Sequence, residues 1–237
     1  VYLVDPPASL TSSSDPILAA IDGARRLFPE GRNAAMYFPR INLADGTSSF
    51  SPSGAVAGVI ARNDETRGVW KGPAGVDASL RGVVTLATPL HDHQRGALNS
   101  AGINALQMLP GARPVIWGAR TLAGADEAAS DWKYLPVRRL GLFIESSVTR
   151  GLAWTVFEPN DERLWAGVRD TIESFLFGLW RQGAFMGRRA EEGFFVNCGK
   201  LTMTPDDILN GRLICDIGFA PLKPAEFVVI RIFSRTA

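Results

Sequence analysis

Trp154-Thr-Val-Phe-Glu-Pro-Asn-Asp-Glu-Arg-Leu-Trp165, with the apolar run that follows it to Trp180, is the stretch from which the rest of the chain can be read. Val156 and Phe157 close a short β-rich run and Pro159 stops it. Asn160 or Asp161 can then offer a side-chain oxygen to the unpaired N–H groups of a helix start. Asp161 and Glu162 fall in the first turn, where they complement the helix dipole. Leu164, Val168, Ile172, Phe175, Leu176 and Leu179 recur at spacings of three and four, and Trp165, Phe177 and Trp180 widen the stripe. A helix over residues 161–182 that is apolar on more than one side must be buried on more than one side, by its own fold or by another subunit. It is expected to be the spine of the C-terminal half.

Upstream, residues 152–157 read as the strand leading into that helix. Before it, Val137, Leu140, Ile144 and Val148 recur at helical spacing, with Gly151 as a stop. Between Ala123 and Asp131 small residues and acids replace the apolar pattern, which places a domain boundary there and divides the chain into 1–122 and 123–237. The first part opens with a strand at Val1-Tyr-Leu-Val4. A helix follows, capped by Ser14 or Asp15, with Pro16 in its first turn and Ile17, Leu18, Ile21, Ala24, Leu27 and Phe28 on its buried side. Ala34-Ala-Met-Tyr-Phe38 is a buried strand, so the opening unit predicts a partly parallel sheet and an α/β fold. Pro52 opens a small-residue helix over 54–61, residues 63–75 read as loop, and 82–86 as a short strand. Residues 103–109 and 114–122 form a hairpin around Pro110-Gly111. Gly118 and Arg120 interrupt its second strand, serving packing or an edge as readily as binding.

Downstream of the long helix, Gly183 to Glu192 is a charged loop in which Arg188 and Arg189 face Glu191 and Glu192. Strands are expected over 193–198, 212–219 and 225–233, with one helical turn started by Thr204.

Composition narrows the classes of function. In 237 residues, 25 Lys and Arg nearly balance 24 Asp and Glu, so no net field argues for nucleic acid or an anionic membrane. No run reaches the roughly 18 apolar residues that a membrane span needs, and no signal segment opens the chain. Assembly in the cytosol is the expectation. Cys198 and Cys215 sit in apolar, β-rich surroundings and read as a buried reduced pair, not as a disulfide or metal site. Val1 is not Met and already reads as strand, which predicts that the chain is part of a longer one.

Chemistry is hard to build. Gly46-Thr-Ser48, leading to Ser51-Pro52 and a helix of small residues, is similar to the nucleophile segment of subtilisin-like serine proteases, with Ser48 as nucleophile. Such a serine needs a histidine and a carboxylate, both upstream in the subtilisin order, and residues 1–47 hold no histidine. The two histidines, His91 and His93, share one short loop without a third ligand at metal spacing, and a solvated helix start with Asp92 as cap accounts for them. No phosphate loop, dinucleotide fingerprint or paired-carboxylate cleft is present. No catalytic residue, cofactor or metal is expected.

The ordered motifs carry more. Ser51-Pro-Ser-Gly-Ala-Val-Ala-Gly58, Arg67-Gly-Val-Trp-Lys-Gly-Pro73, Leu98-Asn99 with Gly102-Ile-Asn104, Trp117-Gly-Ala-Arg-Thr-Leu122, Trp132-Lys-Tyr134 with Val137-Arg-Arg139, Ile144-Glu145, Val156-Phe-Glu-Pro-Asn160 with Leu164-Trp165, and Pro224-Ala-Glu-Phe-Val228 recur in this order in one family. On these residues the chain resembles the contractile tail sheath proteins of phages, R-type pyocins and related injection systems. The resemblance implies a non-catalytic subtilisin-like α/β domain over 1–122, followed by a smaller mixed α/β sheath domain over 123–237. It implies hexameric rings stacked helically around an inner tube, contracting to drive the tube through a target envelope. The implied partners are further copies of itself, the inner tube protein, and baseplate and terminator proteins, in a phage tail or phage-tail-like particle assembled in the bacterial cytoplasm. The family's N-terminal arm, which links neighbouring subunits, and any outer domain before Val1 lie outside this sequence. A subtilisin-like hydrolase fragment using Ser48, and a ring-forming tail protein that never contracts, are the alternatives.

Two segments are expected to meet other subunits. In Glu226-Phe-Val-Val-Ile-Arg-Ile-Phe233, Val228, Ile230 and Ile232 line one face and Phe227, Val229 and Phe233 the other, with Arg231 the polar exception. A strand apolar on both faces would be an aggregation hazard if left unpaired. Pro221 and Pro224 stiffen the approach to it. The expectation is an arm that joins a sheet of an adjacent subunit by β-augmentation; completion of its own sheet is the alternative. Arg188, Arg189, Glu191 and Glu192 are the candidate tube contact, against a solvated turn.

Overall fold

The computed structural model describes residues 1–6, 15–28, 31–44 and 49–226. It is mixed α/β and falls into two compact units. One holds residues 1–62, 71–135 and the C-terminal stretch from Lys223; the other holds 63–70 and 136–222.

In the first unit, β1 (Tyr2–Val4), β2 (Ala34–Phe38), β6 (Asn104–Gln107) and β7 (Val115–Trp117) form a sheet in that order. The β1–β2 and β2–β6 pairs are parallel and β6–β7 is antiparallel, so the expected hairpin closes a partly parallel sheet. Every residue of β2 is buried, because the sheet is covered on both faces. Ala35 and Tyr37 point to one side, where Val56 and Val59 of α2 (Ser53–Arg67) meet Leu106 and Ile116. Met36 and Phe38 point to the other side, to Ile17, Ala20 and Ala24 of α1 (Pro16–Leu27) and Leu98 of α3 (Asp92–Ser100). The period of two along a strand thus feeds two cores. A second sheet, antiparallel and ordered β4 (Ser49–Phe50), β3 (Ile41–Leu43), β5 (Val83–Leu86), belongs to the same unit.

The second unit is built on α5 (Glu162–Arg181). Asp161 caps it, accepting from the N–H groups of Arg163 and Leu164, and the buried side chains are Leu164, Trp165, Val168, Ile172, Leu176 and Leu179. They pack with Leu140 and Ile144 of α4 (Leu135–Gly151) and with Val196 and Cys198 of β8 (Phe194–Cys198). β8 pairs antiparallel with β9 (Cys215–Phe219). Between them Thr204 caps the short α7 (Pro205–Leu209) in a reciprocal box with Asp207.

Several expectations are corrected. Residues 152–157 are not a strand: Ala153–Thr155 is one turn of 3₁₀ helix, followed by Phe157 at φ 70°. Its polar groups are satisfied locally, Thr155 and Glu158 donating backbone N–H to Leu152 and Thr155 carbonyls, so no ladder partner is needed. The loop expected from Asn63 begins at Gly68. α2 runs on to Arg67, where Gly68 in the left-handed region donates its N–H to the Asp64 carbonyl and ends the helix. Leu18 and Leu27 of α1 are exposed and Ala20 takes the inner position, which suits close packing over the sheet. His91, not Asp92, is the N-cap of α3. β9 starts at Cys215 because Arg212 is drawn back to α7, its guanidinium pairing with Asp206 and Asp207.

Candidate assembly elements

Asn104 and Arg120 form a polar knot in the apolar interior of the first unit. The Asn104 amide donates to the carbonyls of Met36 (3.1 Å) and Arg120 (2.8 Å), and its oxygen accepts from the Arg120 N–H (2.7 Å). Gly118 lets these segments close, since a Cβ there would stand 2.9 Å from the Asn104 oxygen. The Arg120 side chain is 1% exposed. Its Nη1 donates to the carbonyls of Asn99 (2.7 Å) and Gly124 (3.2 Å) and to the carboxylate of Asp126 (2.9 Å). Its other edge grips Glu226 in a fork, Nε to Oε1 at 2.8 Å and Nη2 to Oε2 at 2.6 Å. Burial pulls the Arg120 pKa down, but Glu226 and Asp126 outweigh it and the net direction is up. The Lys133 ammonium, 2.7 Å from Asp126, and then Arg120 hold the Asp126 carboxyl at about 2 against a weaker opposing effect of burial.

Glu226 is the last described residue. The first residue of the expected arm is therefore seated in the first unit, against Arg120, while Phe227, Val228, Val229, Ile230, Arg231, Ile232 and Phe233 lie outside the described residues. Ser48 lies outside them too. From sequence Arg120 reads as an interruption of an apolar run, serving packing or an edge as readily as binding; a lone arginine two positions after a glycine in that run is the signal of its role.

In the second unit, the β8–β9 sheet has two strands among the described residues. Each therefore has one side without a ladder partner, and the isolated bridge between Phe185 and Pro221 lies outside both strands. Phe195 and Gly218 are opposite one another, and a Cβ at Gly218 would meet the Phe195 ring at 2.0 Å, so the glycine is what lets the ring lie across the strand. Arg188, Arg189, Glu191 and Glu192 are all exposed. The two acids open the single turn α6 (Ala190–Gly193), and Glu192 accepts from the Arg188 backbone N–H (2.8 Å), closing the turn on itself. His91 and His93 stack, ring centres 6.0 Å apart, and no group of three or more His, Cys, Asp or Glu suited to a metal occurs among the described residues. No helix among them is long and apolar enough to cross a membrane.

Comparison with known proteins gives this geometry its context. Residues 26–122 match the phage tail sheath protein central domain, and residues 127–235 match the phage tail sheath C-terminal domain. The helical sheath of the anti-feeding prophage in its contracted state is 32% identical, with a TM-score of 0.76, over 98% of this chain and 70% of that one. The chain belongs to the contractile tail sheath family. A chain of the anti-feeding prophage baseplate is 37% identical, with a TM-score of 0.80, over 86% of the sheath chain described here and 55% of its own length. The tail sheath protein of Vibrio phage KVP40 is 27% identical over 186 residues, which are 78% of this chain and 26% of that protein. The chain thus spans about half and about a quarter of the length of these two relatives.

Proposed function

We propose that this chain is the polymerising part of a contractile sheath, in hexameric rings stacked helically around an inner tube that contraction drives through a target envelope. The observation that carries the reading is the match along nearly the whole chain to the two sheath domains, together with the likeness to a contracted helical sheath. Residues 1–122 and 123–237 are assigned to its two sheath domains. The first is a subtilisin-like scaffold without catalysis, a reading that the β1-α1-β2 unit and the small-residue helix α2 support. Tube, baseplate and terminator proteins are its partners, and assembly takes place in the bacterial cytoplasm.

Residues 227–233 are assigned to an arm that adds to a neighbour's sheet, and β8–β9 is a two-stranded sheet among the described residues, in which both strands lack a second partner. Its root is Glu226, fixed by Arg120. The exposed turn carrying Arg188, Arg189, Glu191 and Glu192 is assigned to the tube; single exposed pairs contribute about 0.2 to 1 kcal/mol, and repetition around a ring multiplies them. Co-expression of the complete sheath protein with its tube, followed by electron microscopy, tests the reading. Tube-centred particles of two lengths are expected. Particles of one length under every trigger would instead make it a static ring protein, and labelling of Ser48 by a fluorophosphonate would make it a hydrolase.

A further inference from the structure

Cys198 and Cys215 end the β8–β9 ladder directly opposite one another, with their sulfur atoms 2.8 Å apart. Opposed residues of an antiparallel pair hold their Cα atoms about 4.5 to 5.5 Å apart, inside the range of about 4.4 to 6.8 Å that a disulfide spans. Both thiols are free. Their side chains lie on the sheet face that carries Val196 and Ile217, toward α5, yet they are not sealed in. Cys215 is half-buried, and Cys198 lines a cleft of about 520 Å³ together with Trp165 and Arg169. The backbone is already where a bond would need it, and the rung lies at the end of the ladder, beside Gly199 at φ 141°, where the chain can adjust.

We propose that Cys198 and Cys215 form an intramolecular disulfide when the protein meets a low-molecular-weight disulfide oxidant. The Cys215 thiolate attacks one sulfur of oxidised glutathione; that S–S bond breaks, a mixed disulfide forms, and one glutathione leaves as thiolate and takes up a proton. Cys198, losing its own proton, attacks the Cys215 sulfur and expels the second glutathione. Two protein thiols are oxidised and one glutathione disulfide is reduced to two thiols. The tie joins positions 17 apart, closing the loop that carries α7 and preventing β8 and β9 from separating at that end. Burial, then the Cys198 thiol and Asp216, push the Cys215 thiol up to about 12 against a weaker pull from Arg169. The first step is therefore slow at neutral pH and quickens as pH rises. The proposal rests on the second unit alone and on no part of the assembly reading.

The test treats the full chain with oxidised glutathione at mildly alkaline pH and follows intact mass, thiol titration after denaturation, and melting. A mass lower by two hydrogens, loss of both titratable thiols, a peptide linking Cys198 to Cys215, and a Tm higher by about 5 to 10 °C that dithiothreitol reverses are expected. Cys215→Ala should abolish the reducible shift. Persistence of both thiols, accumulation of a stable glutathione adduct, or a linkage between chains would each overturn the proposal. The wild-type mass decides the matter even if the variant folds poorly.

Discussion

Glu226 is where a single charge decides most. Arg120 is almost wholly buried, and a buried guanidinium deprived of its fork partner keeps its desolvation cost while losing the strongest of its hydrogen bonds. Glu226→Ala is expected to lower stability by about 2 to 4 kcal/mol in urea unfolding at neutral pH, and Glu226→Gln by less, because it keeps the shape and one accepting oxygen for the guanidinium, although its NH2 cannot replace the second. Equal melting of Glu226→Ala and wild type would mean that the fork is not held in solution. The neighbouring Asp126 predicts a pH effect. Its folded pKa, about 2, lies below the ordinary 3.8, so its ionised form stabilises the fold fully above about pH 4, and that contribution is lost as pH falls through 2. Asp126→Asn should therefore differ from wild type at pH 5 and approach it near pH 2, as acid unfolding curves can show. Residue chemistry of this kind is only half legible in a sequence. A charged side chain inside an apolar run marks Arg120 as special, but no spacing rule reaches across the 106 positions to Glu226.

The long helix α5 was the most legible element, because a stripe at spacings of three and four, an Asp cap and a preceding proline all favour the same boundaries. Leu176 is 0% exposed and Phe175 half-buried, so the two adjacent positions should separate. Leu176→Ala is expected to cost about 2 to 5 kcal/mol through the cavity it leaves, and Phe175→Ala clearly less. The reverse order in thermal or urea melts would place the core on the wrong side of the helix. The segment before α5 was misread for a physical reason: Val156 and Phe157 have high β propensity, yet propensity is overridden when a turn satisfies its own polar groups. What results is unusual, since Phe157 is 102% exposed and holds a positive φ that bulky side chains seldom adopt. In α1 the stripe was right in period but too wide, as Leu18 and Leu27 show. Periodicity indicates that a helix has an inner face; how much of that face is covered depends on what the chain brings opposite.

At the scale of the molecule, the path of the chain matters more than any one contact. It contributes residues 63–70 to the second unit, builds the rest of that unit over residues 136–222, and returns to the first at Lys223. Residues 223–226 therefore end in the unit that holds Arg120, and whatever Phe227 and its successors bind is tethered there. Truncation after Glu226 removes the apolar residues 227–233 and spares the fork. If those residues serve as an arm between subunits, the shortened chain should fold and melt like the full one, in the same urea range, while sedimentation and electron microscopy show monomers that no longer polymerise. Completion of the chain's own sheet predicts the opposite, because an apolar strand lost from within the unit would take about 2 kcal/mol or more of burial with it and leave a partner strand unpaired. Loss of folding on truncation would thus refute the arm, and polymerisation by a folded, truncated chain would refute it as well. Combining the truncation with Glu226→Ala separates the root from the arm: the fork's contribution to stability should persist in the shortened chain, because its partners Arg120 and Asp126 belong to the first unit whether or not anything follows residue 226.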